Sequence, residues 1–244
     1  MTNVAKSIIV PCYNESANLP SLIRRFAELY KPGADWELVL VNNGSVDDSA
    51  EVFRREQQQE GRGFLRVVAV PSPNVGYGHG IVTGLRAARG EWLGWTHADG
   101  QTPPKDVFLA FEKLLASSDS KRTLVKGQRR NRAFKDTAFT FGMQMAAAAV
   151  LWEHLEDING QPKVFHRTLL ELASKPPVDL SLDLYFLHVA RANGFKVDTI
   201  PVEFGLREHG ESKWAFNWKS KGRNIARTIK FMMALKTGQA YPTA

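Results

Sequence analysis

The chain has 244 residues, of which 43% are hydrophobic and 23% charged. These proportions are ordinary for a globular protein, and the length suits one large α/β domain or one domain with a short extension. The net charge of +7 predicts an anionic partner, such as a nucleotide, a phospholipid surface or a nucleic acid. The single cysteine, Cys12, excludes an intramolecular disulfide and fits a reducing compartment.

Apolar runs alternate with helical patterns along the chain. Strands are predicted at 7–11, 37–41 and 65–70 and from 92 onward, with helices at 18–30, 81–89 and 105–116 and one between the second and third strands. Further strands at 124–127, near 163–165 and at 196–202 accompany helices at 136–152, 182–193 and 216–236. This order predicts a Rossmann-like α/β fold, with a mostly parallel sheet and helices on both faces.

Polar residues directly follow the first two strands. The first strand runs into a turn with four candidate ligand-binding residues, Pro11, Tyr13, Asn14 and Glu15. Ligands of open α/β sheets bind beyond the carboxyl ends of the strands, so a base or ribose is expected here. After the second strand, Ser45 and Asp47 are suited to cap the next helix, whereas Asn42 and Asn43 suit the reading of a base edge.

A glycine-rich segment, Asn74 to Gly80, follows the third strand. Its spacing almost matches the dinucleotide fingerprint. Position 81 is isoleucine, however, and no acidic residue stands at the expected ribose distance, so we reject a nicotinamide or flavin site. Two interpretations stay open. Gly76 and Gly78 let backbone N–H groups approach an anion, or they form a tight turn that packing requires.

The fourth strand begins at Trp92 and ends in alternating polar residues, His97, Asp99 and Gln101. A carboxylate with a neighbouring imidazole and an amide oxygen suits a divalent cation that also holds phosphate oxygens. The competing interpretation is a buried strand followed by an ordinary polar turn.

Charged residues in the second half offer further candidates. Arg129 lies in a basic cluster at the end of the strand 124–127, where a phosphate could bind, although such clusters are usually solvated surface. After the last strand, Arg207 and Lys213 could clamp phosphates. Asp183 lies on a mostly apolar segment, either with a functional role or as a first-turn acid favoured by the helix dipole.

The tail from 216 to 236 is predicted to be an amphipathic helix with many basic residues. Ile225, Ile229 and Met232 fall on one stripe. Such a helix suits an anionic membrane surface, or it packs on its own domain or on another subunit. We therefore expect a catalytic domain at 1–215 and a basic helical extension at 216–244.

Five motifs, by their order and spacing, resemble those of the family 2 glycosyltransferases with the GT-A fold. The branch that they resemble holds the polyprenyl-phosphate sugar synthases of the dolichol-phosphate mannose synthase group. The motifs are Pro11-Cys12-Tyr13-Asn14-Glu15, Val41-Asn42-Asn43-Gly44-Ser45 with Asp47, Asn74 with Gly76-Tyr77-Gly78, His97-Ala98-Asp99 with Gln101, and Arg207, Gly210, Ser212 and Lys213. The likeness covers roughly residues 7–215.

The resemblance implies a donor site and a metal site. The nucleotide of a UDP-, GDP- or dTDP-sugar would be held by the first three motifs, through Pro11, Tyr13, Asn14, Glu15, Asn42, Asn43, Ser45, Gly76 and Gly78. The D-x-D position, here His97-Ala98-Asp99 with Gln101 beside it, would carry Mg²⁺ or Mn²⁺ on the diphosphate.

Two positions depart from the family pattern. His97 replaces the first aspartate of D-x-D, which implies weaker metal binding through Asp99 and Gln101, or a cation that accepts imidazole. Asn42 and Asn43 replace the usual aspartate pair, which leaves the identity of the base open.

The implied reaction is a single displacement with inversion at the anomeric carbon, in which a metal ion neutralises the departing nucleoside diphosphate. A polyprenyl phosphate acceptor is already an anion and needs only cations to position it, which are expected from Arg129, Arg207 and Lys213, with Ser212. A glycan hydroxyl would instead need a carboxylate to take its proton, either Asp183 or Asp157. The branch implies action at the cytoplasmic face of the membrane and a role in cell-envelope glycan synthesis. Unlike many relatives in that branch, this chain shows no transmembrane hairpin, so peripheral attachment is expected.

Two other classes fit less well. A nucleotidyltransferase should show a basic glycine-rich loop after the first strand, where this chain has Cys12 to Glu15. A nucleic-acid-binding protein should interleave aromatic with basic residues, which occurs only between Trp214 and Lys230. No nucleic-acid partner is therefore expected, and an oligomer is left open.

Overall fold

The computed structural model describes residues 4–130, 145, 149–152, 155–203, 205, 218–239 and 241–244. The strands are β1 Lys6–Cys12, β2 Trp36–Asn43, β3 Leu65–Val70, β4 Trp92–Trp95, β5 Thr123–Arg130, β6 Lys163–His166 and β7 Lys196–Glu203. The helices are α1 Leu19–Ala27, α2 Ser49–Gln57, α3 Tyr77–Ala87, α4 Pro104–Leu115, α5 Thr168–Leu172, α6 Leu182–Ala192 and α7 Trp218–Thr237, with a 3₁₀ turn at Ser120–Arg122.

The strands form one sheet in the order β3-β2-β1-β4-β6-β5-β7. Strands β1 to β4 pair in parallel, β6 runs antiparallel to both β4 and β5, and β7 is parallel to β5. Six strands therefore end at one edge of the sheet, and β6 begins at that edge. The predicted mostly parallel sheet is confirmed, and its carboxyl edge is where ligands of such sheets bind.

Alternate strand residues build a hydrophobic core on each face of the sheet. Ile9 and Trp95 belong to a cluster that α3, α6 and the end of α7 cover. Ile8 and Val10 belong to a second cluster that α1, α2 and α4 cover. Because side chains alternate along a strand, the apolar runs read from the sequence feed both cores, and the prediction of helices on both faces is correct.

Two element boundaries differ from prediction in a way that matters for the site. Strand β2 continues through Asn43, so the two asparagines belong to the strand. Helix α3 begins at Tyr77 rather than Ile81, so Gly78 and Gly80 lie inside it. A Cβ on Gly80 would lie 2.7 Å from Asn43 Nδ2, so this glycine allows helix and strand to approach closely.

The second half of α7 packs on the first of these cores. Phe231 and Met232 are buried, and the Phe231 ring lies 6.1 Å from that of Tyr185. Ile229 and Met233 point outward and are exposed. The division of the chain at 215/216 stays a prediction. Across the described part of the chain, no helix combines the length and the apolar character needed to cross a bilayer.

Candidate active site

The loops that follow β1 and β2 are hydrogen-bonded to each other. Asn14, at φ +54°, donates its backbone N–H to Ser45 Oγ at 3.1 Å, and its side-chain Oδ1 accepts the Val46 N–H at 2.9 Å. The Ser16 N–H is donated to Asp47 Oδ2 at 3.2 Å. Asparagine tolerates the left-handed region better than most residues, which explains its place here. The polar groups that end the first two strands thus form one connected ledge at the sheet edge.

The two strand-end asparagines are also engaged within the protein. Asn42 Oδ1 accepts the N–H of Ser45, three residues further along the chain, at 3.1 Å. Asn43 is only 2% exposed, and its amide is donated to the Gly76 carbonyl at 2.9 Å. These contacts give both residues a structural role within the protein, and base recognition by them stays a prediction.

The glycines at the start of α3 lie against protein backbone. A Cβ on Gly76 would fall 2.4 Å from the Val178 carbonyl oxygen, and one on Gly78 would fall 2.2 Å from that of Pro177. The His79 N–H is donated to the Val178 carbonyl at 3.0 Å. The packing interpretation therefore accounts for these glycines, and phosphate binding by Gly76 and Gly78 stays a prediction.

His97 and Asp99 extend from the carboxyl end of β4. Asp99 is 5% exposed and accepts the Gln101 backbone N–H on Oδ1 at 3.2 Å. His97 Nδ1 lies 3.9 Å from Asp99 Oδ2. The Gln101 side chain donates its amide to the Gly205 carbonyl at 3.0 Å, just beyond β7, which leaves only Oε1 to act as a ligand.

This donor set fits a divalent cation that takes its remaining ligands from a substrate. One imidazole nitrogen and one carboxylate oxygen face each other, and both are ligand types for Mn²⁺-like ions. Within the described ranges, no group of three His, Cys, Asp or Glu side chains forms a complete protein metal site. Diphosphate oxygens and water would have to supply the other ligands.

Two lysines lie buried beneath the same edge. Lys126 on β5 and Lys163 on β6 are opposite each other in the sheet, at 2% and 0% exposure. Lys126 Nζ donates to the Asp157 backbone carbonyl at 2.9 Å. Lys163 Nζ donates to the Gly160 carbonyl at 3.0 Å and forms an ion pair with Asp183. Burying two adjacent ammonium groups costs free energy, so this lysine pair is an unusual feature of the layer directly below the site, here called the floor of the site.

Burial and neighbouring charges shift the pKa values in this floor. Burial, reinforced by the charge of Lys163, lowers the pKa of Lys126 to about 8. Burial also lowers the pKa of Lys163, against the opposing effect of Asp183. Burial alone would raise the pKa of Asp157, but the hydrogen bonds and charge of Arg129 outweigh it, and the net pKa is lowered. Asp157 is therefore poorly suited to take a proton as a general base.

The comparisons with known proteins decide the family. The family model described as Glycosyl transferase family 2 matches residues 7–171, more than half of the chain. The chain belongs to glycosyl transferase family 2. The predicted resemblance is thereby confirmed.

The similar proteins include bacterial undecaprenyl-phosphate sugar transferases. Undecaprenyl-phosphate 4-deoxy-4-formamido-L-arabinose transferases from Enterobacter sp. (strain 638) and Salmonella paratyphi A (strain ATCC 9150 / SARB42) are 30% and 28% identical over 217 residues. Each match covers 86% of this chain and 62% of the relative, so the chain spans less than two thirds of their length.

Solved structures confirm the predicted GT-A fold. Glucosyl-3-phosphoglycerate synthase from Mycobacterium tuberculosis, in complex with Mn²⁺, UDP and glucosyl-3-phosphoglycerate, gives a TM-score of 0.72 at 19% identity. The match covers 97% of this chain and 81% of that one. A crystal structure described as a mycobacterial protein gives a TM-score of 0.71 at 21% identity, over 97% and 76% of the two chains.

Most of the predicted site residues meet at one edge of this family 2 fold. The first three motifs and the His97–Asp99 pair are adjacent there. Arg129, predicted to bind the acceptor phosphate, holds Asp157 with its backbone N–H at 2.8 Å and with its guanidinium. Arg207, Ser212 and Lys213 lie outside the described residues.

Three residues beneath this edge were not predicted from the sequence: Lys126, Lys163 and Gln161, whose side-chain amide is donated to Asp183 Oδ1 at 2.8 Å. Both lysines interrupt or begin apolar strand patterns, Leu124-Val125-Lys126 and Lys163-Val164-Phe165. A lysine within a strand that is otherwise buried is uncommon, and that was the available signal. Gln161 had no such signal, because its role depends on the antiparallel course of β6.

Proposed function

We propose that this chain is an inverting, metal-dependent glycosyltransferase that moves a sugar from a nucleotide-sugar donor to a polyprenyl phosphate. The observation that carries the proposal is the His97–Asp99 pair at the carboxyl end of β4, beside the ledge formed by the β1 and β2 loops. The undecaprenyl-phosphate transferases among the relatives support the acceptor, and the UDP and Mn²⁺ of the structural neighbour support the donor and the ion.

The residues of the chain have distinct tasks in this scheme. The ledge around Asn14 and Ser45 would position the nucleotide, and Asp99 with His97 would hold the cation. When bound, a divalent cation neutralises the charge that develops on the departing diphosphate. We assign acceptor phosphate binding to Arg207, Ser212 and Lys213, as the family motif implies, and to Arg129 because of its place at the end of β5.

The state of the carboxylates favours a phosphate acceptor over a hydroxyl. Asp157 is paired with Arg129, and Asp183 is paired with Lys163 and accepts an amide from Gln161 at 2.8 Å. Both predicted candidates for a general base are thus held by cations. A phosphate acceptor is already anionic and needs no base, so it fits this arrangement better than a glycan hydroxyl does.

We assign peripheral membrane contact, at the cytoplasmic face, to the outward side of α7 and to Trp152. Trp152 is 84% exposed, and the Lys236 ammonium lies 5.9 Å from its ring centre. Ile229 and Met233, one helical turn apart, are exposed beside the basic residues Lys230 and Lys236. An indole, apolar side chains and lysines on one surface suit an anionic lipid headgroup region.

The reaction is tested with UDP-, GDP- and dTDP-sugars, each incubated with Mn²⁺ and a polyprenyl phosphate. We expect one donor to release nucleoside diphosphate at a rate that depends on the lipid phosphate, and glycosylated lipid to form in equal amount. The matched control replaces the lipid phosphate by the free polyprenol. Equal rates with the polyprenol, or turnover only with a glycan acceptor, would contradict the phosphate-acceptor proposal.

The membrane surface is tested by Ile229→Glu with Met233→Glu, which leaves the buried Phe231 and Met232 in place. Burying an aliphatic side chain contributes about 1.5–3 kcal/mol, so the lost apolar contact should weaken binding roughly tenfold or more per side chain. Flotation with phosphatidylglycerol vesicles measures this, with neutral phosphatidylcholine vesicles in parallel. Leu115→Glu, at an exposed leucine at the end of α4, is the control. Unchanged flotation of the double variant would remove α7 from the proposal.

A further inference from the structure

A continuous chain of side chains leads from the buried lysine of β6 to the candidate metal site. Asp183 is paired with Lys163 and accepts the Gln161 amide at 2.8 Å. The same Gln161 amide lies 3.3 Å from the Tyr77 hydroxyl, and that hydroxyl lies 3.2 Å from His97 Nε2. These contacts join α6, the start of β6, α3 and the end of β4 at one point.

Tyr77 is held firmly at the start of α3. Gly76 and Gly78 on either side of it lack the Cβ that would collide with the carbonyl oxygens of Val178 and Pro177. The backbone therefore docks closely, and the Tyr77 ring packs edge-on against the His97 imidazole with ring centres 5.6 Å apart. The two glycines therefore have a role that is independent of phosphate binding, because they fix the position of the Tyr77 hydroxyl.

The Tyr77 side chain presents a neutral hydroxyl to His97, since an ordinary phenol is protonated near pH 7. This hydroxyl can accept or donate a hydrogen bond, and it carries no charge that would itself attract a cation.

The two ring nitrogens of His97 face different partners. Nε2 meets the Tyr77 hydroxyl, whereas Nδ1 lies on the side of Asp99, 3.9 Å from Oδ2. Histidines that bind metals use one nitrogen as ligand and give the other N–H to an oxygen, which fixes the tautomer and the ring orientation. The Tyr77 hydroxyl is such an oxygen for Nε2.

We infer that Tyr77 is a positioning residue for the cation, holding His97 so that Nδ1 acts as the second protein ligand in place of a carboxylate. The inference rests on the proposed metal-dependent function and adds a residue to it. An imidazole ligand favours Mn²⁺ and later transition ions over Mg²⁺, which prefers oxygen. Loss of such a supporting contact typically weakens metal binding about 10–100-fold.

The test measures Mn²⁺ binding by the electron paramagnetic resonance of free Mn²⁺, with UDP, GDP or dTDP present. We expect Tyr77→Phe to raise the Kd for Mn²⁺ about 10–100-fold, and to reduce the preference for Mn²⁺ over competing Mg²⁺. Tyr30→Phe is the matched control, because Tyr30 packs against Trp36 and Phe64 in the other core. In a His97→Asp background, Tyr77→Phe should change the Kd less than twofold, since no imidazole is left to position.

The outcomes separate this inference from the proposed function. If Tyr77→Phe binds Mn²⁺ within twofold of the parent, or loses the same affinity in the His97→Asp background, Tyr77 does not act through the imidazole. A parent protein that binds no Mn²⁺ with any of the three nucleotides also overturns the inference. If the Tyr77 effect on Mn²⁺ is found but no sugar is transferred, the inference stands and the proposed reaction fails.

Discussion

Asp99→Asn should lower the turnover of sugar donor by about 10²–10³-fold, the range typical for losing one electrostatic contact to a developing charge. The asparagine keeps the size of the side chain, and its Oδ1 can still accept the Gln101 N–H that Asp99 now accepts. What is lost is the negative charge that, with His97, would hold the cation on the diphosphate. Release of nucleoside diphosphate at saturating Mn²⁺ measures the effect.

A matched substitution separates chemistry from folding. Asp119→Asn removes the same charge from an exposed residue before the 3₁₀ turn, away from the sheet edge, and should leave turnover unchanged. Far-ultraviolet circular dichroism of both variants checks that the fold is retained. Turnover by Asp99→Asn within threefold of the parent would mean that Asp99 does not hold the cation.

The sheet and the position of the site could be predicted because they depend on local patterns. Apolar runs of strand length, separated by amphipathic helices, are sufficient to indicate a mostly parallel sheet. The polar residues after each run then fall at one edge, since parallel strands end together. His97 and Asp99 lie at that edge for this reason, and no long-range contact is needed to place them there.

The parts that could not be predicted depend on contacts between distant segments. Asn43 looks like an exposed strand tip, but it is covered because α3 begins early and lays Gly80 over it. Lys126 and Lys163 meet only because β6 inserts antiparallel between β4 and β5. The packing role of Gly76 and Gly78 could not be predicted either. The backbone at 177–178 against which they pack lies about 100 residues further along the chain.

Lys163→Met should lower the free energy of unfolding by about 3–5 kcal/mol, the usual result of removing one partner of a buried ion pair. Methionine approximates the volume of the lysine stem, but Asp183, at 2% exposure, would lose its ammonium partner in the core. Lys163 also lies over the Trp95 ring, 5.6 Å from its centre, and methionine preserves part of that contact. Urea denaturation, with an unchanged m-value, gives the difference.

Two further variants show whether the unpaired charge causes that loss. Lys163→Met combined with Asp183→Asn should recover much of the stability, because the asparagine still accepts the Gln161 amide and buries no charge. Lys6→Met breaks the surface pair with Asp35, which is half exposed, and should cost at most about 1 kcal/mol. If the double variant is no more stable than Lys163→Met alone, lost packing around Trp95 accounts for the effect, and Asp183 tolerates its burial without the lysine.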